Sequence, residues 1–156
     1  MFRKLSFSQI MFLFVLLISS SCSNSDSLAY SRGDSKLKEK KYKEALLEFK
    51  VDRENNTTVC SCHGKIPSWM GLDKQAYCLM MSSSDKEDLL DALDYCDTCI
   101  IMSKLHGRAL DLPFYVRSLI NEKLGNIHQS QIDMILSKNL ALQNKRDKNF
   151  FKTVYP

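Results

Sequence analysis

The sequence is poor in the residues that punctuate chains and in the patterns that build sheets. Five glycines and three prolines serve 156 residues, β-branched residues form few runs, and no stretch alternates strictly between apolar and polar. Short strands joined by tight turns need such features, so an all-β architecture is excluded. Long hydrophobic runs are missing too. The longest unbroken one, Ile10 to Ile18, has nine residues, against about 20 for a membrane-spanning helix. Charge of one sign is also lacking, with 22 Lys and Arg against 18 Asp and Glu. The most basic stretches, Lys36 to Lys43 and Lys145 to Lys148, are broken by Glu39, followed by Glu44, and by Asp147, as solvated helix faces are. Dedicated nucleic-acid binding shows a concentrated basic patch and is excluded. Histidine is scarce: His63, His106 and His128 lie in no Gly-x-Ser-x-Gly or His-Glu-x-x-His context. The chain therefore reads as a non-enzyme, with no cofactor and no small-molecule substrate implied.

What is present begins at the N-terminus. Met1-Phe2-Arg3-Lys4 is a short basic head, Leu5 to Ile18 is mostly apolar, and Ser19-Ser20-Ser21 leads to Cys22. That is the order of a secretory signal. The cysteine after small residues resembles the bacterial lipobox, in which the cysteine is acylated and becomes the new N-terminus. Ser19 stands where that family usually has Leu, and Ile18 is one place further back. The resemblance implies a signal peptide over 1–21, lipidation of Cys22, palmitate-type acyl chains and a membrane anchor in the cell envelope. Ser23 in place of the retaining Asp points to the outer membrane. Several acyl chains hold where one is marginal, since each buried methylene contributes about 0.8 kcal/mol. Residues 22–27 are polar and read as a flexible tether. Cleavage removes Arg3 and Lys4, leaving 20 basic residues against 18 acidic in a single domain over 28–156.

Within that domain the period is helical. The expected helices cover about 27–39, 42–54, 68–82, 85–105, 112–124, 127–140 and 141–152. Ser84 with Glu87 forms a capping-box pattern, Pro113 suits a first turn, and Gly125-Asn126 separates two helices. Leu89, Leu90, Leu93, Cys96, Ile100 and Ile101 mark one apolar stripe. The irregular stretch 55–67 is the long interruption.

Small and large residues recur in a further pattern. Gly33, Tyr42, Ala45 and Phe49 fall at positions eight, seventeen, twenty and twenty-four of a unit, with Ala29 at four and Asp52 at twenty-seven. Phe114, Ser118, Ser130, Met134 and Ser137 repeat the register around Leu124-Gly125-Asn126-Ile127. Between them Trp69, Leu72, Ala92 and Cys99 mark a stretched middle unit, in which Asp73 replaces the usual Gly. These units resemble tetratricopeptide repeats. The resemblance implies an all-α fold of about 6–7 helices, stacked as antiparallel pairs in a short solenoid. It makes Leu140 to Phe151 a polar capping helix. It also implies a groove lined by the first helix of each pair: Tyr30, Asp34, Leu37 and Lys38, then Met70, Lys74 and Tyr77, then Tyr115, Leu119, Glu122 and Lys123. Tyrosine and methionine suit adaptable binding there.

Five cysteines follow Cys22: Cys60, Cys62, Cys78, Cys96 and Cys99. Export meets an oxidising compartment, so one or two structural disulfides among them are expected, with pairing open. A bridge closing 15 to 40 residues contributes about 3–4 kcal/mol. Cys96-Asp97-Thr98-Cys99 has redox spacing but lies mid-helix, at two packing positions, and reads as buried thiols. Cys60-Ser61-Cys62-His63, alone or with Cys96 and Cys99, offers zinc ligands and falls one residue short of a haem-attachment motif. The functional expectation is a lipid-anchored module that binds a protein or peptide in its groove. The alternative is an exported metal- or haem-binding protein using Cys60, Cys62 and His63.

Overall fold

A computed structural model describes residues 25–55, 69, 71–147 and 149–156. The fold is all-α, and no strand occurs among the described residues. Among the described residues seven helices follow in order: α1 Ser25–Lys38, α2 Tyr42–Asn55, α3 Leu72–Ser82, α4 Lys86–Leu105, α5 Leu112–Lys123, α6 Ile127–Gln143 and α7 Phe150–Val154. The closest packing is within the pairs α1–α2, α3–α4 and α5–α6. Each pair then meets the next through α2–α3 and α4–α5, and α3 also touches α5.

Tight turns make these antiparallel neighbours. Four helices end alike, on a residue of positive φ: Lys40, Gly107, Gly125 and Lys145. In each the next amide reaches back five residues, as Lys41 N to Lys36 O (2.9 Å), Arg108 N to Ser103 O (2.8 Å), Asn126 N to Asn121 O (2.8 Å) and Arg146 N to Ala141 O (2.9 Å). This bond satisfies a carbonyl orphaned at the helix end. Two glycines take the left-handed position without cost, whereas two lysines hold it against their Cβ.

The structure moves three expected boundaries. α3 starts at Leu72, not 68, because Gly71 sits at φ +88° and interrupts the helical path after Trp69. α4 is capped by Asp85, not Ser84: Asp85 takes the extended N-cap conformation, and its carboxylate accepts from Glu87 N at 3.0 Å. The polar capping helix at Leu140 to Phe151 does not form. α6 runs on to Gln143, the chain turns at Lys145, and five-residue α7 lies back against the stack. The apolar side chains Phe150, Phe151 and Tyr155 draw it there.

The core runs the length of the pairs. Phe49, Met80, Val116, Ile120, Cys78 and Cys96 are all fully buried, and a smaller cluster of Trp69, Leu72 and Cys99 sits beside them. The small positions of the repeat pattern are the ones that close the pairs: Gly33, Ala45, Ala92, Ser118, Ser130 and Ser137 are buried. At Gly33 a Cβ would stand 2.6 Å from the Phe49 ring. Fully burying such a side chain contributes about 1.5–3 kcal/mol.

A polar staple crosses the second and third pairs. Asp133 on α6, fully buried, accepts from Arg117 Nε (2.9 Å) and Nη2 (2.7 Å), from Asn121 (3.2 Å) and from Gln129 (3.1 Å). Arg117 Nη1 also reaches Asp97 on α4 at 2.5 Å. Burial works against the guanidinium charge, but the two carboxylates outweigh it and raise the Arg117 pKa. A two-toothed pair with every lone pair engaged is the arrangement in which a buried charge is tolerated.

Candidate binding face

The first helices of the three pairs share one face, and its chemistry starts with Lys74. Its ammonium lies 2.5 Å from the Asp34 carboxylate and 4.4 Å from the centre of the Tyr30 ring, joining α3 to α1. Burial works against this charge, but the Tyr30 phenol and the Asp34 carboxylate raise the Lys74 pKa, so it stays an ammonium. Next to it Asp73 is buried, and burial lifts its carboxyl above the ordinary carboxylate value, against the pull of the Tyr155 hydroxyl and Lys74.

One turn on, α3 presents Tyr77 and α5 presents Tyr115. Both phenols are raised by burial, Tyr77 to about 12. The groove between them is filled by the chain itself. Tyr155, 4% exposed, lies 4.5 Å from the Tyr77 ring and 6.0 Å from the Tyr115 ring. Its hydroxyl donates to Asp73 Oδ2 at 2.5 Å. The Pro156 carbonyl accepts from Tyr42 and Tyr77, each at 3.3 Å. Phe151 stacks on Tyr115 at 4.5 Å, and Arg146 lies 4.4 Å over Phe150.

Beside the segment is open space. A cavity of about 580 Å³ runs from Tyr30, Asp34 and Lys74 past Trp69 to Asp111 and Arg146, with Val154 as one wall. Trp69 is held by stacking on His106 at 5.7 Å. Arg146 stands 3.6 Å from Asp111, an ion pair too long for a hydrogen bond. The lining is mostly apolar with a few charged groups, the usual make-up of a ligand site.

The structure thus gathers Tyr30, Asp34 and Lys74 at one end of the face and Tyr77 and Tyr115 under segment 150–156. Leu119 is half-buried against the core, and Lys38, Glu122 and Lys123 are exposed. The Lys123 ammonium donates to the Met80 carbonyl at 2.7 Å. Leu37 differs from its expected place: it is buried in the core and offers no surface to a partner, because α1 turns that side toward α2 and α3. Met70, Cys22, Cys60, Cys62 and His63 lie outside the described residues.

Cys78, Cys96 and Cys99, three of the thiols expected to form bridges, are free and buried. Burial pushes Cys78 and Cys99 to about 12 and Cys96 well above its ordinary value, so these are packing groups rather than nucleophiles. Among the described residues no group of three or more His, Cys, Asp and Glu is placed to hold a metal ion. None of the described helices is long and apolar enough to cross a membrane.

Sequence reasoning missed the two residues that matter most to this face, Asp73 and Tyr155. A signal was there for each. Asp73 stands where the repeat pattern has glycine, and the polar end of the chain carries Phe150, Phe151 and Tyr155. No protein family, curated protein or solved structure matches this chain.

Proposed function

We propose that this chain is an exported, lipid-anchored module that binds a protein or peptide segment along the face formed by α1, α3 and α5. One observation carries the reading. A length of chain, residues 150–156, already lies there and is held by side chains from all three helix pairs: Tyr42, Tyr77 with Asp73, and Tyr115. A face that binds one aromatic segment through rings, a carboxyl and phenolic hydroxyls has the chemistry to bind another. The pairwise packing of the helices and the buried small positions support a tetratricopeptide-like stack. The basic head, apolar run and small residues before Cys22 support the anchor, most simply in the outer membrane.

Two measurements test it. The intact mass of protein from its native membrane should equal residues 22–156 plus two or three acyl chains; an unacylated mass removes the anchor. A photo-crosslinking amino acid at Ser31, exposed on the cavity rim, should capture a defined partner, while one at Lys138 on α6 should not. Equal capture at both positions, or capture only at Lys138, refutes the assignment of this face.

A further inference from the structure

We infer that segment 149–156 is an internal stand-in for the partner: the face recognises a tyrosine-bearing peptide whose hydroxyl reaches Asp73, and Tyr155 must leave before that peptide enters. This inference rests on the peptide-binding reading above and adds to it the chemical class of the partner and a built-in gate.

The first support is how little of the segment is buried. Of its residues only Tyr155 is buried, while Lys152 and Thr153 are exposed and Phe150, Phe151 and Val154 are half-buried. α7 has five residues, too short to persist as a helix without the packing of its rings. The connection from Asn144 to Asp147 is exposed and turns through Lys145 at φ +54°. A segment with a single buried side chain and a short helix opens more readily than the core beneath it.

Second, the seat selects a phenol rather than any aromatic ring. Asp73 Oδ2 is buried and takes its bond from the Tyr155 hydroxyl at 2.5 Å. A phenylalanine in that place removes this bond from a buried carboxyl, and sites built to bond a hydroxyl reject analogues that lack it. The rings of Tyr77 and Tyr115 flank the seat, and the Tyr42 and Tyr77 hydroxyls hold the next carbonyl. That contact is to a main-chain oxygen, so it does not depend on the proline ring.

Third, the segment leaves room for a better ligand. The cavity walled by Val154 continues past Lys74, Tyr30 and Trp69, beyond the seat that Tyr155 fills. A longer peptide fills it and gains contacts that the segment lacks. That difference is needed, because a tethered competitor acts at an effective concentration in the millimolar range, and a ligand shifts a two-state equilibrium only by its differential affinity.

The experiment uses the full chain and a fluorescent synthetic peptide, Asn-Phe-Phe-Lys-Thr-Val-Tyr-Pro, identical to residues 149–156. In the chain carrying Tyr155→Ala the seat is open, and the peptide should bind at least tenfold tighter than to the parent. Replacing the peptide's Tyr by Phe should cost at least tenfold. Equal binding by the parent and by Tyr155→Ala overturns the gate; equal binding of the Tyr and Phe peptides overturns recognition by Asp73. A concentration-dependent dimer of the parent with residues 150–156 exchanged assigns the seat to a second copy and also overturns the gate.

Should Tyr155→Ala fail to fold, hydrogen exchange on the parent decides. Peptide in excess over the roughly millimolar effective concentration of the tethered segment should speed exchange at the Thr153 and Tyr155 amides, bonded to Asn149 O and Phe151 O, and leave α5 unchanged. Unchanged exchange at both amides overturns the inference. Failure of the peptide-binding reading is distinguishable: Ser31 then captures nothing whether the seat is open or filled. Failure of this inference alone leaves capture at Ser31 intact and independent of Tyr155.

Discussion

Gly33→Ala sets two physical effects against each other. Gly33 lies inside α1, where alanine is favoured over glycine by about 1 kcal/mol. On helix propensity alone the substitution stabilises. The tertiary structure opposes it. The new Cβ would stand 2.6, 2.8 and 2.9 Å from Cε1, Cδ1 and Cζ of Phe49. The conflict is with the body of the ring rather than the tip of a flexible chain. Phe49 is 2% exposed, meets Tyr30 edge-on at 5.5 Å, and lies under Lys74 at 5.8 Å. To restore ordinary contact the ring or α1 must move by most of an ångström, and overpacking of this kind costs about 1–3 kcal/mol. After the propensity gain is offset, the net loss is about 1 kcal/mol, which lowers the melting temperature by roughly 4 °C. Urea denaturation and calorimetry measure both. A double-mutant cycle with Phe49→Leu isolates the clash, and the double variant should recover about 0.5–3 kcal/mol relative to additivity. A Gly33→Ala chain that melts higher than the parent would refute the close approach of α1 and α2.

Three further outcomes follow from other parts of the structure. Asp133→Ala strands the Arg117 guanidinium with Asp97 as its remaining partner and should cost about 3 kcal/mol in urea titration; Arg117→Met combined with Asp133→Leu should recover most of it. A loss under about 1 kcal/mol for the single variant would show that the staple is not a buried one. For Asp73, burial raises the folded pKa above the ordinary 3.8, so between the unfolded and folded values the native chain binds more protons and stability falls as pH rises. Asp73→Asn removes that slope, and its stability relative to the parent should grow as pH rises through and above the ordinary carboxylate value; an unchanged difference refutes the raised carboxyl. The buried thiols Cys78, Cys96 and Cys99 should resist iodoacetamide in the native chain and react only in denaturant, read as mass increments. Rapid native alkylation of any of the three contradicts the packing around it.

Much of the helical order is local and therefore legible. Apolar residues three and four apart place α4, Pro113 marks the first turn of α5, and Gly125 ends it. The small residues chosen by spacing, such as Ala45, Ser118 and Ser137, are buried where two helices approach, because helix contact needs small side chains on a fixed period. The candidate face was legible in part. Tyr30, Lys74, Tyr77 and Tyr115 lie along it, while Leu37 turned into the core, since one helix period does not say which of two adjacent sides meets the neighbouring pair.

What only the tertiary structure decided is the pairing of polar groups far apart in sequence. Nothing in the sequence of α6 marks Asp133 as buried until Arg117 folds against it. Asp73 reads as an irregular repeat position until Tyr155, 82 residues away, donates to it. The end of the chain from Leu140 reads as a capping helix until Phe151 stacks on Tyr115 and Tyr155 meets Tyr77. Helix periods are set by bonds four residues apart, so the sequence alone determines where helices run. A buried carboxyl or an aromatic segment is placed by whichever distant surface satisfies it, and that surface exists only once the pairs have stacked.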